Sequence, residues 1–180
     1  MVAAVALLRG VNVGGKAKVP MAELRQVAEE AGLIDVRTYV QSGNVAFTVP
    51  AKKALPAVPD TLRTAISASF GLDVDVLVRT GDELATLADR NPFLDDEPRP
   101  TMLHVVFLAG TPDRSRIAGL DPDRAPGDRF LVDGSEIFVH YPDGSGRSKL
   151  TLDYFERTLE VRGTARNWNT VTRLLEMTGG

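Results

Sequence analysis

The chain is apolar at every position from Val2 to Leu8, and this run is closed by Arg9-Gly10. A segment without alternation suits a central strand covered on both faces, so whatever follows must supply two covering layers or neighbours. Pro20 fits a first helical turn, and Met21, Leu24, Val27, Ala28 and Ala31 then return at helical spacing until Gly32 ends the pattern. Residues 36–40 and 45–49 read as strands joined by the turn Gln41-Ser42-Gly43-Asn44, where Gly43 can take a positive φ. Residues 50–59, with three prolines and two lysines, form a connector. Asp60 is expected to cap a helix with Leu62, Ala65, Ile66 and Phe70 on its inner face, and 74–78 supplies a fourth strand.

The resulting order, βαββαβ, predicts a ferredoxin-like unit: an antiparallel sheet with two helices on one face. Thr80 and Glu83 have the spacing of a capping box that opens a further short helix, ending near Asn91-Pro92. "NPFLDDEPRP" reads as a linker whose Asp95, Asp96 and Glu97 are solvated. The pattern then repeats: a strand at 102–108, a short helix after Pro112, two strands flanking Asp133-Gly134, a helix carrying Leu152, Phe155 and Leu159, and a closing strand within 161–166. Asn169 is expected to cap a last helix that turns Val171, Leu174 and Leu175 inward. The expected fold class is therefore α+β, two tandem ferredoxin-like (alpha-beta plait) units with antiparallel sheets and additional helices. The division is 1–80, a helix and linker at 81–100, and a second unit with its C-terminal helix at 101–180.

Composition supports self-sufficient folding. At 180 residues, 43% hydrophobic and 25% charged, the chain can bury about two-thirds of its unfolded surface without metals or disulfides. The formal net charge of -3 means that nucleic-acid contact would need a local patch, because the average field is unfavourable. Cysteine is absent, which excludes disulfides, thiol chemistry and cysteine-based metal sites and fits a cytoplasmic location. The opening apolar run is too short for a signal peptide or a spanning helix, so no membrane partner is expected.

Gly10-x4-Gly15-Lys16-Ala17 matches the spacing of a phosphate-binding loop up to its last position. There the hydroxyl that ligates magnesium in such loops is replaced by Ala17, and Pro20 delays the helix. Anion binding without nucleotide hydrolysis is left, next to the plainer reading of a tight glycine turn. Arg9, Asn12, Gly14, Gly15 and Lys16 offer donors suited to phosphate oxygens. Gln41, Ser42 and Asn44 either satisfy their own turn or join that site. Arg147 and Lys149 sit in a second glycine- and serine-bearing basic loop, where Ser148 or Thr151 can cap the following helix. Arg166, Asn167, Trp168 and Asn169 form a third polar group, in which Trp168 either anchors a helix start or stacks on a planar ligand. His104 and His140 lie in no metal-ligand spacing, and neither a metal nor a cofactor is called for.

The segments "LLRGVNVGGKAKVPMAELR", "YVQSGNVAF", "RSKLT" and "TARNWNTVTRLLEM" closely resemble the bacterial DUF1697 family, which has no assigned function. The resemblance runs almost end to end and implies tandem ferredoxin-like units, with no catalytic residues to carry over. The leading expectation is a protein that binds a phosphorylated small molecule at a polar cleft between its two halves. A nucleic-acid-binding module, an enzyme of phosphate or nucleotide chemistry and a homo-oligomeric interaction protein stand as the alternatives.

Overall fold

The computed structural model describes residues 1–15 and 17–179. It contains β1 (Val2–Leu8), α1 (Met21–Glu30), β2 (Ile34–Tyr39), β3 (Asn44–Val49), α2 (Val58–Phe70), β4 (Val76–Thr80) and α3 (Gly81–Asp89). The succession then recurs as β5 (Leu103–Leu108), α4 (Arg114–Ile117), β6 (Arg129–Asp133), β7 (Glu136–His140), α5 (Leu152–Leu159), β8 (Gly163–Asn167) and α6 (Trp168–Met177). The strands form two four-stranded sheets of order β2-β3-β1-β4 and β6-β7-β5-β8, with every neighbouring pair antiparallel. This is the tandem βαββαβ arrangement read from the sequence. Among the described residues no helix is long and apolar enough to cross a membrane.

Two compact units account for the chain, one of residues 1–88 together with 173–180 and one of residues 89–172. In the first, Ala4 through Leu8 are completely buried, which is why β1 carries no polar alternation. Ala4, Ala6 and Leu8 meet Val45, Phe47 and Val49 of β3, Leu24 and Ala28 of α1, and Leu62 and Ile66 of α2 in one core. In the second, Val106 and Leu108 of β5, Ile137 and Val139 of β7 and Phe155 and Leu159 of α5 form the matching layer. Alternation along each strand gives the sheets their helix-facing side, as a period of two demands.

Local signals hold at several junctions. The Thr80 backbone N–H donates to Glu83 Oε2 at 2.7 Å, and the Glu83 N–H donates to Thr80 Oγ1 at 3.1 Å, a reciprocal capping box. Asp133 pairs with Glu136 across Gly134-Ser135, so the hairpin loop has two residues, with Gly134 at φ +61°. Two caps differ from expectation. Asp60 lies inside the first turn of α2, because a 3-10 turn at Lys52–Ala57 runs directly into the helix and brings its start forward to Val58. At the last helix the cap is Asn167, whose Oδ1 accepts from the Thr170 N–H at 3.0 Å, two positions before the expected Asn169.

Candidate functional site

The loop after β1 is built on left-handed backbone: Gly10, Gly14 and Gly15 have φ of +71°, +60° and +74°, and Asn12 and Ala17 have +55° and +50°. Asparagine tolerates this region because its short amide bonds locally. Asn12 Nδ2 donates to the carbonyls of Val19 (2.9 Å) and Gln41 (2.7 Å), while Asn12 Oδ1 accepts from the Val19 N–H at 2.8 Å. The Asn12 amide therefore holds the loop closed and ties it to the turn after β2. Asn44, fully buried, donates to the Tyr39 carbonyl and to Ser42 Oγ. Arg9 donates its backbone N–H to Asp75. The opening loop and the QSGN turn are thus brought together, bounding a shallow groove of about 390 Å³ lined by Asn12, Gly15, Lys18, Val19, Pro20 and Gln41. Lys16 lies outside the described residues. α1 begins only at Met21, which leaves this loop unlike a nucleotide-hydrolysing one.

The second basic loop lines a larger groove, about 600 Å³, made by Ala125, Pro126, Asp128, Asp143, Gly144, Gly146, Arg147, Ser148 and Lys149. Its backbone is held from several sides. Ser148 Oγ donates to Asp128 Oδ2 and accepts from the Leu150 N–H at 2.9 Å. Tyr141 Oη donates to the Leu150 carbonyl at 2.7 Å from within the core, where burial and the Asp128 charge raise its pKa. Arg124 Nε donates to the Lys149 carbonyl at 2.9 Å while its guanidinium lies 4.0 Å from the centre of the Tyr154 ring. Thr151, the actual cap of α5, accepts from the Tyr154 N–H at 3.1 Å. Arg147 and Lys149 themselves are exposed and make no side-chain hydrogen bond or ion pair among the described residues.

The third polar group does not present itself as a surface. Arg166 is 7% exposed; its Nη1 donates to Thr164 Oγ1 and to the Ala165 carbonyl, each at 2.8 Å, and burial pulls its pKa down to about 10. Trp168 is likewise buried, so its ring has no open face on which a base could stack. Arg166 pairs in register with Val105 and Asn167 with His104, which puts these adjacent residues on opposite faces of the sheet. Of this group Asn169 alone is exposed.

A further polar cluster escaped the sequence reading because its members are 43 residues apart. Glu97, expected to be solvated, is 5% exposed: it receives Arg99 Nε and Nη2, each at 2.8 Å, and lies 3.0 Å from His140 Nε2. Arg129 Nη2 lies 3.1 Å from His140 Nδ1, and since a guanidinium only donates, His140 is the Nε2–H tautomer that donates to Glu97. Phe93 stands 5.9 Å from the His140 ring, and Arg129 lies over Phe93. The proline-bounded segment is therefore packed on the β6-β7 hairpin of the second unit. His104 is the other histidine; its Nδ1 is buried without a hydrogen-bond partner among the described residues, its ring meets Tyr141 edge-on at 5.1 Å, and burial lowers its pKa.

Hydrogen bonds from Arg99 and then from His140 hold the Glu97 carboxyl well below its ordinary value of 4.5. A depressed carboxylate contributes stability that is complete above the unfolded value and is lost as pH falls toward the folded one. The stability difference between the wild type and Glu97→Gln should accordingly be largest above about pH 4.5 and shrink with acidification. Urea titrations of both proteins from pH 7 to pH 2 check this, and a difference independent of pH would remove Glu97 from the account.

Together the two units define a tandem ferredoxin-like α+β protein carrying a glycine-bearing basic loop in each half. The chain belongs to the family described as "Protein of unknown function (DUF1697)", whose model matches residues 1–138. Five chains of solved structures match it. One, "The structure of conserved bacterial protein SP0830 from Streptococcus pneumoniae", is 24% identical with a TM-score of 0.73, the match covering 98% of each chain. At that identity the likeness speaks for the fold. A search of curated proteins gives no match.

Proposed function

We propose that the protein binds a phosphorylated small molecule in the groove of its second unit, with Arg147 and Lys149 as the phosphate-holding cations. The observation that carries this reading is that two exposed cations, engaged by no side chain among the described residues, border a concave site whose backbone is braced. An Arg fork fits two phosphate oxygens at once and a Lys supplies a mobile charge. A loop already ordered before binding spares the ligand the ordering cost that weakens flexible sites. At Gly144 and Gly146 an added Cβ would meet nothing within 4 Å, so the glycines leave the loop backbone open to an approaching ligand. The buried Trp168 and Arg166 weigh against the nucleic-acid alternative, which needs accessible rings and cations.

Titration with inorganic phosphate, followed by backbone amide shifts, tests the proposal. Shifts should concentrate at residues 125–128 and 143–149, and the Arg147→Ala/Lys149→Ala double variant should bind at least about tenfold more weakly, the loss of charge-assisted bonds. An unchanged affinity in the double variant, or shifts confined to other loops, would overturn it.

A further inference from the structure

We infer that the natural ligand of this groove is a polyol phosphate, a sugar phosphate in chemical class, whose hydroxyls are received by Asp143. The inference rests on the phosphate-binding reading above and concerns the rest of the ligand. The groove carries two carboxylates, Asp128 and Asp143, beside its two cations. Asp128 is engaged at Oδ2, to which Ser148 Oγ donates, and serves to brace the loop. Asp143 is exposed and makes no hydrogen bond or ion pair among the described residues; its charge reaches Arg99, which is itself bound to Glu97.

An ionised carboxylate only accepts hydrogen bonds, so a phosphate monoester dianion, which carries no proton of its own, meets repulsion beside Asp143 and offers it no donor. A ligand bearing hydroxyl donors next to its phosphate resolves both demands: the dianion faces Arg147 and Lys149, and hydroxyls donate to Asp143. The size agrees, because about 600 Å³ lies within the range of pockets that take whole metabolites and is far more than a phosphate group fills. The lining separates this class from nucleotides. Among the described residues it contains no aromatic ring, and its apolar part is confined to Ala125 and Pro126, which leaves no aromatic platform for a base.

Calorimetric titration with three probes, glucose 6-phosphate, methyl phosphate and glucose, against the wild type, Asp143→Ala and Lys149→Ala decides the matter. Glucose 6-phosphate should bind at least about tenfold more tightly than methyl phosphate, roughly the worth of one hydrogen bond to a charged group. Asp143→Ala should weaken glucose 6-phosphate and strengthen methyl phosphate, opposite movements that a merely structural role of Asp143 would not produce. Lys149→Ala should weaken both. Equal affinity for the two phosphates, or movement of both in the same direction in Asp143→Ala, overturns the hydroxyl inference and leaves phosphate binding standing. Absence of binding by either phosphate overturns the underlying reading and this inference with it.

Discussion

Replacing Gly43 by alanine is expected to destabilise the first unit by about 3 kcal/mol, combining the left-handed backbone penalty with overpacking. Gly43 has φ +77°, and a Cβ there would lie 2.5 Å from Val11 Cγ2 and 2.8 Å from Leu8 Cβ. Neither neighbour can retreat easily: Leu8 is fully buried in β1, and Val11 is 1% exposed beneath the glycine loop. Gly43 also accepts the Leu8 N–H at 2.9 Å, so shifting the turn breaks a backbone bond. The damage should spread to the bond from Asn12 to the Gln41 carbonyl, two residues away. Amide exchange in β1 and β3 reads the loss directly, and a change below about 1 kcal/mol would show that this turn repacks at the ordinary cost of a surface substitution.

Phe155→Ala should have a comparable effect on the second unit, about 4 kcal/mol, the usual cost of emptying a buried phenylalanine site. Its side chain is fully buried, with Phe130 of β6 and Tyr154 each 5.6 Å away between ring centres. Phe155 also donates its N–H to the Thr151 carbonyl at 3.1 Å, one turn below the cap of α5. Loosening this helix should free Tyr154, and with it the Arg124 guanidinium that holds the Lys149 carbonyl. Phosphate binding should therefore weaken in Phe155→Ala under conditions where the unit is still folded. Exchange rates in β5 and β7 measure the stability change, and an effect below about 2 kcal/mol would mean that neighbouring side chains collapse into the space.

The fold was legible because its signals are local or periodic. The continuous apolar run announced a doubly covered strand, Thr80 and Glu83 announced their reciprocal cap, and Asp133-Gly134 announced its hairpin. Errors arose where two residues of similar chemistry competed within a few positions, as with Asn167 and Asn169, since a cap depends on where the preceding strand ends. The sites were legible only as parts. Gly10, Asn12 and Gly15 marked a loop, but the use of the Asn12 amide depends on the Gln41 carbonyl, 29 residues away and supplied by another turn. Arg147 and Lys149 stood out by charge, whereas Asp128 reaches their groove only through the folding of the β5–β8 unit. Glu97 resembled a solvated acid in a proline-rich stretch, and nothing near it in sequence pointed to His140.

α6 begins among residues of the second unit, and its last turns, from Arg173 onward, count with the first. Arg37 of β2 donates to the Met177 carbonyl, and Thr178 approaches Gly81 so closely that a Cβ there would lie 3.1 Å from its side chain. The first unit is consequently discontinuous in sequence, and on the ribosome it cannot be completed when residues 1–88 have emerged. An N-terminal fragment ending at Ala88 lacks the residues that meet Arg37 and Gly81, so vectorial synthesis delivers the second unit's whole sequence before the first has its final segment.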